Sequence, residues 1–144
     1  MQYISQSLTF QEDRIYFLRE EIEQEVMMDW EDTLMSASAA YVTQNGGDIL
    51  EIGFGMGISA GYIQSHSITS HTICENHPQI IPLALEWAAE RPNATVITGS
   101  WYGNLDILST YDGVFYDTYG DTDLQFFTSS LPTLVKPGAR TTWW

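Results

Sequence analysis

The stretch that decides the fold is "LEIGFGMGIS", residues 50–59. Three glycines, Gly53, Gly55 and Gly57, stand at alternate positions directly after an apolar run, and that run contains an acid, Glu51. A glycine inside an ordinary element costs roughly 0.5–1 kcal/mol relative to alanine. Three at this spacing mark a backbone that must turn tightly or come close to something.

Working outward, "DILEI" at 48–52 reads as a buried strand, and "NGGD" at 45–48 stops the segment before it. A helix resumes over 57–65. The pattern then repeats: a strand "HTICE" at 71–75, a helix through Leu85 and Trp87 to Glu90, and a strand "ATVIT" at 94–98. Pro78 suits the first turn of that helix, and Pro82 delays its start. Next come a short helix "NLDIL" at 104–108, a strand "DGVFYD" at 112–117, a helix over 122–134, and a fifth strand "RTTWW" after the turn "VKPGA". Upstream, Ile15, Leu18, Ile22 and Val26 fall at helical spacing over 11–26. A second helix is expected over 30–43, with Trp30, Leu34, Ala37 and Tyr41 on one face. Short strands alternating with helices imply an α/β fold: a Rossmann-like, mostly parallel five-stranded sheet with helices on both faces. The chain is expected to be a single domain over 1–144, with 1–45 as an N-terminal helical cap.

In that architecture the glycines lie between the first core strand and the first crossover helix, where ligands bind beyond the carboxyl ends of the strands. The spacing is G-x-G-x-G, so the dinucleotide fingerprint G-x-G-x-x-G is not met. The second core strand ends in Glu75, and an acid there can accept both hydroxyls of a ribose.

Composition narrows the partners. The 144 residues carry five Lys and Arg against 19 Asp and Glu, a formal net charge of −14. Such a surface repels phosphate backbones, so no nucleic acid is expected, and it attracts cations. At 44% apolar residues the chain can build a core. No apolar run is long enough to span a bilayer, and the first residues do not read as a signal peptide, so no membrane partner is expected. The single Cys74 excludes an internal disulfide and fits a reducing, cytoplasmic setting. In such a protein the acceptor sequence Asn93-Ala94-Thr95 is accidental. His66, His71 and His77 have no metal-ligand spacing, so no metal is expected. Cys74 and Tyr116 read as core residues.

The chain resembles a class I S-adenosylmethionine-dependent methyltransferase. "LEIGFGMG" is similar to that superfamily's first motif and "ICEN" to its second. The segments "VMMDWEDTLMSASAA", "GGDILEIGFGMGIS", "TICENHP", "GSWY", "DGVFYDTY" and "LVKPG" follow the order and approximate spacing of guanidinoacetate N-methyltransferase, whose core fungal protein arginine N5-methyltransferases share. The resemblance implies S-adenosyl-L-methionine as cofactor, with Phe54, Gly55, Met56, Gly57, Ile58 and Ser59 beside its methionine part. Glu75 would hold the ribose, Asn76 and His77 would lie near the adenosine, and Ser100 and Trp101 would line the adenine. Met27 and Met35 match positions near cofactor and substrate. Glu31 and Asp117 match two carboxylates that grip a guanidinium.

Those carboxylates suit that chemistry on their own terms. A guanidinium presents paired N–H donors that a carboxylate accepts bidentately. Two carboxylates would orient it and draw positive charge from the reacting nitrogen, and Asp117 would accept the released proton. Tyr119 is a candidate for the pocket wall. The expected activity is methylation of a guanidino group, on a guanidinoacetate-like small molecule or an arginine side chain. The alternatives are a module that binds the cofactor without transferring its methyl, or another S-adenosylmethionine-consuming enzyme on this fold. The family is expected to run past Trp144, adding two strands and completing the substrate site, so the chain is expected to be C-terminally truncated. An edge strand ending in Trp143 and Trp144 is then expected to pair in a homodimer.

Overall fold

A computed structural model of the chain describes residues 9–10, 14–19, 22–28, 32–118 and 124–143. The first elements are strands: β1 (Thr9–Phe10), β2 (Arg14–Arg19) and β3 (Ile22–Met28) form an antiparallel sheet in that order. This corrects the helix expected over 11–26. Ile15-Tyr16-Phe17 is β-branched and aromatic, which favours an extended chain. The pairing runs from Arg14 opposite Met28 to Arg19 opposite Ile22. The helical spacing of Ile15, Leu18, Ile22 and Val26 is therefore coincidental.

Helix α1 (Asp32–Val42) follows. It buries Met35, Ala39 and Val42, while Leu34, Ala37 and Tyr41 are exposed. The expected apolar face is thus the outward one. The stripe Met35, Ala39, Val42 has the i, i+4, i+7 spacing that meets a core.

The rest alternates as expected: β4 (Asp48–Ile52), α2 (Ile58–Gln64), β5 (Ser70–Glu75), α3 (Ile81–Ala89), β6 (Ala94–Thr98), β7 (Tyr111–Tyr116), α4 (Leu124–Ser130) and β8 (Val135–Trp143). The order is β6-β5-β4-β7-β8, with every pair parallel. The chain reverses direction across the sheet at β4, so the glycine loop sits at the switch point.

Three local differences have local causes. Residues 104–108 do not form a helix; a single 3-10 turn occupies Tyr102–Asn104. The Ser100 hydroxyl accepts from Gly103 N–H at 3.1 Å, and Asn104 Nδ2 donates to Ser100 O at 2.7 Å, so side chains close the turn early. The helix over 122–134 is shorter, because Pro132 lies in a separate 3-10 turn at Leu131–Thr133. Strand β8 starts at Val135, with irregular pairing before Arg140. Pro82, in the first turn of α3, lacks only a donor that the helix does not need.

Alternation along β4 divides the core. Ile49 joins Met35, Ala39, Val42, Ile63 and Ile80 on the face covered by α1, α2 and α3. Leu50 and Ile52 join Trp101, Tyr116, Phe127 and Leu134 on the other. Glu51, fully buried, therefore points under α2.

Candidate functional site

The carboxyl rim of the sheet collects the expected site. Gly53 N–H donates to Cys74 O at 2.9 Å, Asp117 N–H to Ile52 O at 3.0 Å, and Gly99 N–H to Glu75 O at 2.9 Å. The ends of β4, β5, β6 and β7 are thereby locked around the glycine loop. Asp117 lies just past β7 and is partly buried.

Two of the glycines are required by the protein's own packing. At Gly53, φ is +96°, and an added Cβ would lie 2.0 Å from Asp117 O. At Gly57, φ is +80°, and a Cβ would lie 2.9 Å from the Phe54 ring. Both positions have the tight turn and close approach expected of the glycine run. Gly55 also has a positive φ, +56°.

Glu75 is 4% exposed, and its carboxylate is already occupied. Oε1 accepts from Phe54 N–H at 2.8 Å, and Oε2 from Asn76 N–H at 2.9 Å and His77 N–H at 3.0 Å. A carboxylate offers about four acceptor positions, so one remains. Glu75 thereby braces the start of the glycine loop against the end of β5.

Several other expected contacts turn into the core. Phe54 is buried edge-on to Trp87 at 5.6 Å. Met35 is fully buried, and Met56 and Ile58 pack against the same cluster. The Ser59 hydroxyl donates to Glu51 Oε2. His77 is buried and accepts from Gln79 N–H through Nδ1 at 3.1 Å. Ser100 closes the turn after β6. Trp101 stacks on Phe126 at 5.4 Å, and its indole N–H is buried without a partner among the described residues. Met27 lies on β3; Glu31, Tyr119 and Trp144 lie outside the described residues.

Cys74 is buried, and burial pushes its thiol up to about 12, which makes it inert. No group of three His, Cys, Asp or Glu side chains able to hold a metal occurs among the described residues, and none of their helices is long and apolar enough to cross a membrane.

Sequence reasoning missed a buried polar chain beneath the loop. Glu51 Oε1 lies 2.9 Å from His71 Nε2, and His71 Nδ1 lies 3.1 Å from Gln64 Nε2. A signal was present: an acid in an apolar strand needs a partner, and His71 begins the apolar run of the next one.

The donor set fits a cationic nucleoside. Glu75 keeps one acceptor position, and the unpaired Trp101 N–H would gain from an acceptor, since an orphaned buried donor costs about 1–3 kcal/mol. The described basic side chains are engaged elsewhere: Arg91 lies over Trp87, Arg140 over Tyr41, and Lys136 between Asp48 and Asp112.

Comparison with known proteins narrows this further. The family model described as guanidinoacetate N-methyltransferase matches residues 11–141. Protein arginine N-methyltransferase 2 of Eremothecium gossypii is 36% identical over 124 residues, 78% of this chain and 30% of that protein. The Yarrowia lipolytica protein of the same name is 32% identical over 150 residues, 95% of this chain and 31% of that protein. The chain thus spans about a third of the length of these curated relatives. Among solved structures, the SAH-bound Podospora anserina methyltransferase PaMTH1 superposes with a TM-score of 0.61 at 20% identity, covering 76% of this chain and 49% of that one. This likeness establishes the fold.

Proposed function

The chain belongs to the guanidinoacetate N-methyltransferase family, and from that premise we propose that it is the catalytic core of an S-adenosylmethionine-dependent N-methyltransferase acting on a guanidino group. The observation that carries the reading is the carboxyl rim, where the Ile52–Gly53 peptide is hydrogen-bonded to Cys74, just before Glu75, and to Asp117. The names of the relatives favour an arginine side chain over a free guanidino acid as acceptor.

When bound, S-adenosylmethionine supplies an electrophilic methyl on a sulfonium. The loop Gly55–Ile58 would hold its amino-acid end. The remaining position on Glu75 would take one ribose hydroxyl. Asn76 and His77 would flank the sugar, and Ser100 and Trp101 the base. Asp117 would orient the guanidinium and take the proton its nitrogen loses, while Glu31 would accept the second edge, with Met27 and Tyr119 as pocket walls. Orientation matters most, because reacting atoms must come within roughly 3–3.5 Å. We read residues 1–144 as one domain whose first 45 residues, strands and helix together, cap the acceptor side. A single buried Cys74 favours a cytoplasmic setting, and the exposed edge of β8 favours a homodimer.

The test is incubation with methyl-labelled S-adenosylmethionine, an arginine peptide and guanidinoacetate, read by mass spectrometry. The peptide is expected to gain the label. Cofactor binding without label on either acceptor would leave a binding module instead.

A further inference from the structure

The glycine loop rests on a polar chain that crosses the core. Ser59, in the first turn of α2, donates to Glu51 on β4. Gln64, the last residue of α2, meets His71 on β5. Glu51 and His71 are fully buried, and Ser59 is 1% exposed. The proton positions follow from the partners. Gln64 Nε2 donates to His71 Nδ1, so His71 carries its proton on Nε2 and donates it to Glu51 Oε1. Both ends of α2 are thus pinned to the sheet through side chains. Aromatic contacts continue the support: His71 lies edge-on to Trp87 at 5.7 Å, Trp87 edge-on to Phe54, and the Phe54 ring lies against Gly57.

We infer that Ser59 is a positioning residue for the cofactor loop: acting through Glu51, its hydroxyl fixes the first turn of α2 and so the conformation of residues 55–58. This rests on the cofactor reading above, yet assigns Ser59 a different role from direct contact, since its hydroxyl faces away from the rim into the core. The logic is preorganisation. A loop held in its binding conformation before the ligand arrives loses less freedom on binding. Removing the hydroxyl frees the turn and leaves a Glu51 oxygen without its donor in the core.

The experiment uses three variants of the chain. Ser59→Ala removes the hydroxyl and Ser59→Thr retains one. Thr43→Val deletes a comparable buried hydroxyl bond, Thr43 Oγ1 to Ala39 O at 2.7 Å, away from the loop. Hydrogen exchange at the amides of residues 55–58 is measured alongside calorimetric titration with S-adenosylhomocysteine. Ser59→Ala is expected to exchange faster at those amides and to bind about tenfold more weakly, the loss of one buried hydrogen bond. Ser59→Thr should restore both, and Thr43→Val should match the wild type in both. Unchanged exchange or affinity in Ser59→Ala, failure of threonine to rescue, or equal effects in Thr43→Val would overturn the inference. A wild type that binds no S-adenosylhomocysteine would defeat the cofactor reading, and exchange alone would then decide the role of Ser59.

Discussion

The two ends of the parallel sheet use the same residue type in opposite ways. At the amino rim, Lys136 Nζ lies 2.8 Å from Asp48 Oδ2 and 3.0 Å from Asp112 Oδ2. Asp112 also accepts from Asp48 N–H at 2.8 Å, and Asp48 from the Ser70 hydroxyl at 2.7 Å. These acids are matched by a lysine and tie β4, β5, β7 and β8 together. At the carboxyl rim, Glu75 is held by three backbone N–H groups and no described side chain. Backbone donors fix a carboxylate in place without a countercharge. One rim pairs its acids with a lysine, and the other holds Glu75 through backbone donors.

The sharpest way to break this contrast is to neutralise one acid at each rim. Asp117→Asn should lower methyl transfer by about 10²–10⁴-fold, the usual range for a lost general base, with S-adenosylhomocysteine binding nearly unchanged. Asp112→Asn should lower stability and leave transfer near the wild-type rate. Labelled-methyl assays and urea denaturation of both variants decide it. Equal effects on transfer would mean that the rims do not differ in function.

The next test asks what holds the carboxyl rim together. Gly53→Ala places a methyl 2.0 Å from Asp117 O at a backbone φ of +96°. Strain and overpacking each cost about 1–3 kcal/mol, so a total of roughly 2–5 kcal/mol is expected from urea denaturation. Glu75→Gln probes the same rim more gently. It keeps the shape but loses the charge that three N–H donors face, and should cost about 1.5–3 kcal/mol of stability. S-adenosylhomocysteine affinity, read by calorimetry, should fall with it. If Gly53→Ala is as stable as the wild type, the rim is more pliable than its close contacts indicate.

These contacts also explain what the sequence could and could not reveal. Strands β4 to β7 were legible because each is a short apolar run between turn residues, and burial makes that pattern strict. The position of Gly53, Glu75 and Asp117 on one rim followed from the parallel topology alone. Which way a side chain turns from that rim did not follow. Ser59 and Phe54 sit in a loop motif associated with a ligand, yet both are drawn inward by Glu51 and Trp87, partners distant in sequence. Glu75 was legible as an acceptor but not as one already holding three backbone N–H groups. Upstream, Ile15, Leu18, Ile22 and Val26 satisfied a helical period that strand pairing overrode.

At the amino rim, pH separates the two uses of acid. Asp48 is held below the ordinary carboxyl range first by its bond to Lys136, and Asp112 first by the Asp48 N–H and then by Lys136. Lys136 is raised, first by Asp48 and then by Asp112. A depressed carboxyl contributes stability above its unfolded value, 3.8, and loses it as pH falls through the folded one. A raised lysine contributes below its unfolded value, 10.5, and loses it as pH rises through the folded one. The cluster therefore acts fully between those limits. Lys136→Met should flatten the acid limb of the stability curve between about pH 5 and 2. Its solvent exposure keeps the effect modest. Thermal melts across that range check it, and an acid limb as steep as that of the wild type would remove Lys136 from the account.

The smallest effect is expected where β8 joins the two rims. The strand begins beside Lys136 and ends at Trp143, which stands opposite Tyr116 in the pairing and is 47% exposed. Its outer edge carries no partner strand among the described residues. A tryptophan buries about 150–250 Å² when fully packed, so covering the exposed half of this one offers about 2–3 kcal/mol before the cost of association. Ordering that side chain at the contact offsets about 0.5–1.5 kcal/mol of the gain, which leaves about a tenfold change in a dimer dissociation constant. Sedimentation at micromolar concentration should find the wild type heavier than its 16.3 kDa chain. Trp143→Ser should move the distribution toward the monomer, while Lys136→Met, at the other end of the same strand, should not. A wild type that sediments as a monomer, or two variants that shift it equally, would show that the carboxyl end of β8 is no more adhesive than its amino end.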